Sequence, residues 1–128
     1  MTSVDVVRDI YAGMAAKDIE ALVALVHPDC VITQDPRLPW GGRHVGHEGF
    51  GNFALALMGT IDSAVTIEAL FTADDEVIQF GRTRGAVLAN GASFDIPEVH
   101  RWTIRDGQAI AAHFAIDTEA MLHAINGE

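Results

Sequence analysis

Apolar residues recur at helical spacing in the first part of the chain and at alternate positions in the second. Val4, Val7, Tyr11 and Met14 stand at i, i+3, i+7 and i+10, one stripe of a helix predicted over 3–16. Ser3 is placed to cap it and Asp5 suits its positive end. A second helix is predicted from Asp18, its N-cap, to about Val26, with Ile19, Leu22, Val23 and Val26 on the apolar face and Pro28 as its stop. Cys30–Gln34 reads as a short strand. The stretch 35–42, with two prolines and two glycines, reads as loop. A third helix, over 47–58, turns Phe50, Phe53, Ala54 and Leu57 to one side.

Beyond residue 60 the period is two. Val65–Phe71, Glu76–Leu88, Ser93–Arg105 and Gln108–Asp117 read as strands. Asp74-Asp75, Asn90-Gly91 and Asp106-Gly107 supply the turns between them, and a short helix over 118–125 closes the chain. Helices followed by antiparallel strands form the α+β pattern. Five strands and the helices before them predict one domain over 1–128, a curved sheet folded over helices with a hollow between.

The strand 93–105 is the most informative. One parity reads Phe94, Ile96, Glu98, His100, Trp102 and Ile104; the other is mostly charged or polar. Glu98 and His100 are therefore expected on a buried wall, where a carboxylate needs a partner or a raised pKa. Such a pair serves either acid–base chemistry or the simple orientation of a strand. In the last strand His113 and Asp117 share a parity with Ala111 and Ala115, opposite Ile110, Ala112, Phe114 and Ile116, so either face can turn inward. Asp117 also suits the N-cap of the closing helix. Arg82 and Arg84 share a parity with Ile78 and Phe80, either answering an inward acid or standing in solvent. Asp35 and Trp40 lie on the loop expected at the cavity mouth, and Tyr11 on the buried stripe of the first helix.

Charge narrows the partners. Eighteen acidic residues against eight basic give a formal charge of −10, and Lys17 is the only lysine. With no basic cluster, nucleic acid and anionic membrane surfaces are not expected partners. Cys30 is the single cysteine, so no internal disulfide and no cysteine zinc site can form. Glu98, His100 and His113 are the one set that a fold could converge on a metal. No phosphate-binding glycine loop or nucleophile elbow is present, and no metal or cofactor is expected. The N-terminus lacks a basic segment followed by an apolar one, so a cytoplasmic protein is the expectation.

Several segments, in this order and spacing, resemble the SnoaL-like branch of the nuclear transport factor 2-like superfamily. They are Tyr11 to Leu22, His27-Pro28-Asp29, Leu38-Pro39-Trp40-Gly41-Gly42 ahead of Gly46-His47-Glu48-Gly49-Phe50, Val99 to Gly107, and Ile116-Asp117-Thr118. The resemblance implies a cone-shaped α+β barrel, a curved and mostly antiparallel sheet wrapped around N-terminal helices, often a homodimer with a deep pocket. The family holds polyketide cyclases, ketosteroid isomerases, limonene epoxide hydrolases and many proteins without a known activity. Its strand-ending acid matches Asp117, and the histidine of its Val-His-x-Trp stretch matches His100. The isomerase's Asp-Pro is similar to Asp35-Pro36, although one extra residue before it puts Gln34 at the base position unless the strand bulges.

The expected function is acid–base chemistry of isomerase, cyclase or hydrolase type on a small apolar oxygen-containing molecule. The alternatives are non-catalytic binding and a dimerising module. His100, Asp117 and Asp35 are the candidate catalytic residues. Glu98, Trp40, Trp102, Tyr11, Phe53, Leu57 and His113 are the candidate ligand contacts.

Overall fold

The computed structural model describes residues 1–128. Its elements in chain order are α1 (Ser3–Ala16), α2 (Ile19–Leu25), β1 (Val26–Gln34), β2 (Gly42–Val45), α3 (Gly46–Thr60), β3 (Ile61–Ala73), β4 (Glu76–Val87), β5 (Ser93–Arg105), β6 (Gln108–Ile116) and α4 (Thr118–Asn126). Thr2, one residue ahead of the predicted cap, closes a capping box with Asp5 at the start of α1. Lys17, with φ at 56°, ends that helix in the left-handed region. Asp18 caps α2 as expected, but the chain turns extended at Val26 and Pro28 lies inside β1.

The six strands form one curved, open sheet in the order β2-β1-β6-β5-β4-β3. All neighbours are antiparallel except β1 and β6, which run parallel. The expected α+β architecture is present, with a sixth strand. That strand, β2, is a four-residue edge piece in a glycine-flanked segment, too short to show a period of its own. No helix is long and apolar enough to cross a membrane.

The concave face of the sheet and the inner faces of the helices share one core. Val6, Val7, Ile10 and Tyr11 of α1 pack with Ile32, Phe53, Val77, Ile96, Trp102, Ala112, Phe114 and Met121. Alternation decides which side chains enter it. Along β5 the buried residues are Phe94, Ile96, Glu98, His100, Trp102 and Ile104, the predicted parity. Along β4 they are Val77, Gln79, Gly81, Thr83 and Val87, so Ile78, Phe80, Arg82 and Arg84 take the outer face. Both arginines pair with Asp95 there, in solvent, and neither answers Glu98.

Candidate active site

A cavity of about 530 Å³ opens between the concave sheet and helices α1, α2 and α3. Apolar side chains make most of its wall, among them Leu22, Phe50, Phe53, Leu57, Trp102 and Phe114. Its buried polar groups come from the sheet and α1: Tyr11, Gln34, Thr83, Glu98 and His100.

Glu98, His100 and Trp102 occupy successive inward positions of β5, and Gln79 faces His100 from the same register on β4. The Tyr11 hydroxyl sits among them, 2.7 Å from His100 Nδ1, 3.0 Å from Trp102 Nε1 and 3.2 Å from Gln79 Nε2. Indole and amide N–H groups only donate, so the phenolic oxygen accepts from Trp102 and Gln79. Its own proton then goes to His100 Nδ1. That chain of donors fixes the imidazole tautomer, with Nδ1 accepting and the ring proton on Nε2. Tyr11 therefore sets the tautomer of His100.

Glu98 takes a different position. Its Oε2 accepts from Gln79 Nε2 at 2.5 Å and lies 3.3 Å from His100 Nε2. Its Oε1 has no hydrogen-bond partner in the protein, and the residue lines the cavity. Gln79 reaches both neighbours because position 81 is glycine. A Cβ at Gly81 would stand 2.2 Å from Gln79 Oε1 and 2.2 Å from the Thr66 carbonyl oxygen. The tight fit leaves Gln79 Oε1 buried without a partner.

Burial governs the protonation states. It pushes the Glu98 carboxyl up to about 7, with the Gln79 amide opposing, and holds the His100 imidazole well below its ordinary value. The Tyr11 phenol is raised by burial too. Near neutral pH the site holds a neutral imidazole beside a carboxyl group divided between its two forms. Such a pair can exchange a proton with a bound molecule and donate a hydrogen bond to it at once.

A second polar group enters from β1. Gln34 is 7% exposed and lines the cavity, and its Oε1 accepts from Trp40 Nε1 at 3.1 Å. The loop after β1 folds back to make this contact. Gly41 approaches the Asp35 carbonyl so closely that a Cβ would stand 1.8 Å from it, and Trp40 is buried as a result.

Of the residues singled out from sequence, Tyr11, Trp40, Phe53, Leu57, Glu98, His100 and Trp102 line the cavity. Asp35, His113 and Asp117 do not. At the end of β1 it is Gln34 that turns inward. The Asp35 carboxylate is held by Arg37 at 2.9 Å, which keeps it below the usual carboxylate range, and Arg37 also reaches Glu119. Asp117 caps α4, accepting from the Ala120 amide at 3.1 Å. His113 is exposed, 2.7 Å from Thr33 Oγ1, because β6 turns Ala112 and Phe114 inward. Glu98, His100 and His113 therefore do not converge. The polar groups that strand reading missed are Gln79 and Thr83. Their signal was a β4 parity holding glycine and uncharged polar residues between positions that carry arginine.

Comparison with known proteins agrees with this architecture. The sequence model of the family described as SnoaL-like domain matches residues 7–113. Nothing among curated proteins matches the chain. The solved structure of TerC, co-crystallised with polyporic acid, is similar at 26% identity and a TM-score of 0.86, over 95% of this chain and 96% of that one. An NTF2-like protein from Burkholderia thailandensis is similar at 26% identity and a TM-score of 0.88, over 98% of each chain. A protein from a Jannaschia species described as a SnoaL-like polyketide cyclase shares the fold at 22% identity and a TM-score of 0.84, over 98% of this chain and 92% of that one.

Proposed function

Because the chain belongs to the SnoaL-like family, we propose that its cavity takes a small, largely apolar, oxygen-bearing metabolite and performs acid–base chemistry of isomerase, cyclase or hydrolase type on it. The observation that carries this reading is the Glu98 carboxyl, poised at about 7 beside a neutral imidazole on an apolar wall. A carboxylate of that basicity takes a proton from carbon next to a carbonyl far better than an exposed one does. Glu98 Oε1 is the atom free to do so. His100 Nε2–H donates to the carbonyl oxygen as negative charge gathers there, and Tyr11 holds the ring in the tautomer that permits it. In an isomerisation or ring closure the proton then returns from Glu98 to another atom of the same molecule with no co-reactant consumed, and in a hydrolysis water is the co-reactant. TerC was crystallised with polyporic acid, which supports a small organic occupant for a cavity of this kind.

Proton exchange tests the reading without knowledge of the product. Cyclic ketones incubated with the protein in deuterated water should lose the NMR signals of their α-protons. Glu98→Gln should slow that exchange by roughly a hundred- to ten-thousandfold. In the wild type the rate should rise with pH through about 7, as Glu98 ionises. Equal exchange by wild type and Glu98→Gln overturns the assignment. Asp35, His113 and Asp117 lie outside the cavity, which favours a second reading, a non-catalytic binding module. Ketones that bind tightly and never exchange would favour it over the first.

A homodimer belongs to the same proposal. Phe71 and Phe80 pair on the outer face of the sheet, ring centroids 5.7 Å apart, and are 41% and 45% exposed. An apolar pair standing in water on a sheet face suits a second copy of the chain.

A further inference from the structure

The amide of Gln34 is locked with its donors free. Trp40 Nε1 can only donate, so the atom that it meets must be the amide oxygen, and the assignment of Oε1 and Nε2 is settled by chemistry. Gln34 Nε2 then keeps both protons, and no protein group accepts either of them. The residue is 7% exposed and lines the cavity, and its amide nitrogen, unlike Gln79 Oε1, is not sealed inside the protein. An amide donor that opens into an apolar hollow gains when an acceptor arrives there.

Strand register places this donor relative to the proposed reaction centre. Gln34 pairs with Phe114 on β6, and Phe114 pairs with His100 on β5. The three form one row across the concave face, all buried, with an aromatic ring between two donors. Two strand spacings separate Gln34 from His100, roughly 10 Å between backbones. A ring with oxygens on opposite carbons, joined at each end by a hydrogen bond of about 2.9 Å, spans a length of that order. The ring itself would lie over Phe114.

We propose that Gln34 is a specificity-determining hydrogen-bond donor, oriented by Trp40, that selects ring compounds bearing a second oxygen opposite the one held by His100. This rests on the proposed function, whose His100 end it shares. Trp40 is a positioning residue, since it acts only through the amide.

Calorimetry with two bicyclic probes, para-naphthoquinone and the mono-ketone α-tetralone, tests the proposal. The wild type should bind the quinone about tenfold more tightly, the contribution of one added hydrogen bond. Gln34→Met keeps length and bulk and should bring the quinone-to-tetralone affinity ratio to about one. Trp40→Phe should reduce the preference in the same direction, which loss of packing alone would not do selectively. Thermal melting of both variants identifies any that fail to fold. Absence of a quinone preference in the wild type, or its persistence in folded Gln34→Met, overturns the proposal. The outcome is separate from that of proton exchange. A Gln34-dependent preference without exchange sinks only the acid–base reading, and exchange with no Gln34-dependent preference sinks only this one.

Discussion

Burial moves the Glu98 carboxyl and the His100 imidazole in opposite directions, so their effects on stability oppose each other along the pH axis. Folded Glu98 keeps its proton to about pH 7, while the unfolded chain releases it near 4.5. Its contribution to stability therefore falls as pH rises between those values. Folded His100 stays neutral, whereas the unfolded imidazole binds a proton below 6.5, so its contribution rises with pH up to that value. From 4.5 to 6.5 the two slopes cancel. Both shifts arise from burial and not from the partner's charge, so each should outlive removal of the other. Denaturant titrations of His100→Gln should show stability falling across this window, by about 1.4 kcal/mol per pH unit at most, and those of Glu98→Gln should show it rising. Slopes of the same sign in both variants would contradict this account. The burial of Glu98 and His100 was legible from parity alone, because the opposite face of β5 is so polar. The hub was not. Tyr11 and Gln79 meet His100 across 89 and 21 residues of chain, and no periodicity encodes such a meeting.

At the scale of elements, the N-caps of α2 and α4 were legible, whereas the cap of α1, the end of α2 and the edge strand β2 were not. Caps depend on a few neighbouring residues, which is why Asp18 and Asp117 could be assigned from sequence. Asp117 had two candidate roles, and its place at the head of α4, outside the cavity, separates them. Asp117→Ala should cost about 1 kcal/mol of stability by chemical denaturation and leave binding of α-tetralone as it was. A loss of binding in a folded Asp117→Ala protein would return this residue to the site. The end of β1 shows why an Asp-Pro signal misled. Pairing runs through Gln34, and the pleat that turns Gln34 inward sends Asp35 the other way, to Arg37. The family resemblance offered both residues, and register separates them.

The whole molecule presents two unlike faces of one sheet. The concave side holds the cavity, and the convex side carries Phe71 and Phe80 among charged residues. Sedimentation at micromolar concentration should give twice the chain mass, and Phe80→Arg should return it to the monomer value. A wild type that sediments as a monomer at those concentrations removes the dimer from the proposal. The fold class was legible because helices and strands are segregated along the chain, and the hollow followed from a sheet bent over helices. Neither the outward turn of β6's polar parity nor the neighbour relation of β1 and β6 was legible, since both are properties of a closed tertiary arrangement.

That neighbour relation bears on how the protein is made. β6 is the last of the six strands in sequence yet interior in the sheet, gripping β1 on one side and β5 on the other, the first across a separation of 80 residues between Thr33 and His113. Without residues 108–116, β3, β4 and β5 can still zip as local hairpins, but the β1–β2 pair lacks the strand that joins it to them. The long loop must close before its entropy is repaid. The row containing Gln34, Phe114 and His100 thus comes into being only once β6 has docked between β1 and β5, so the cavity wall is completed by the pairing of greatest sequence separation.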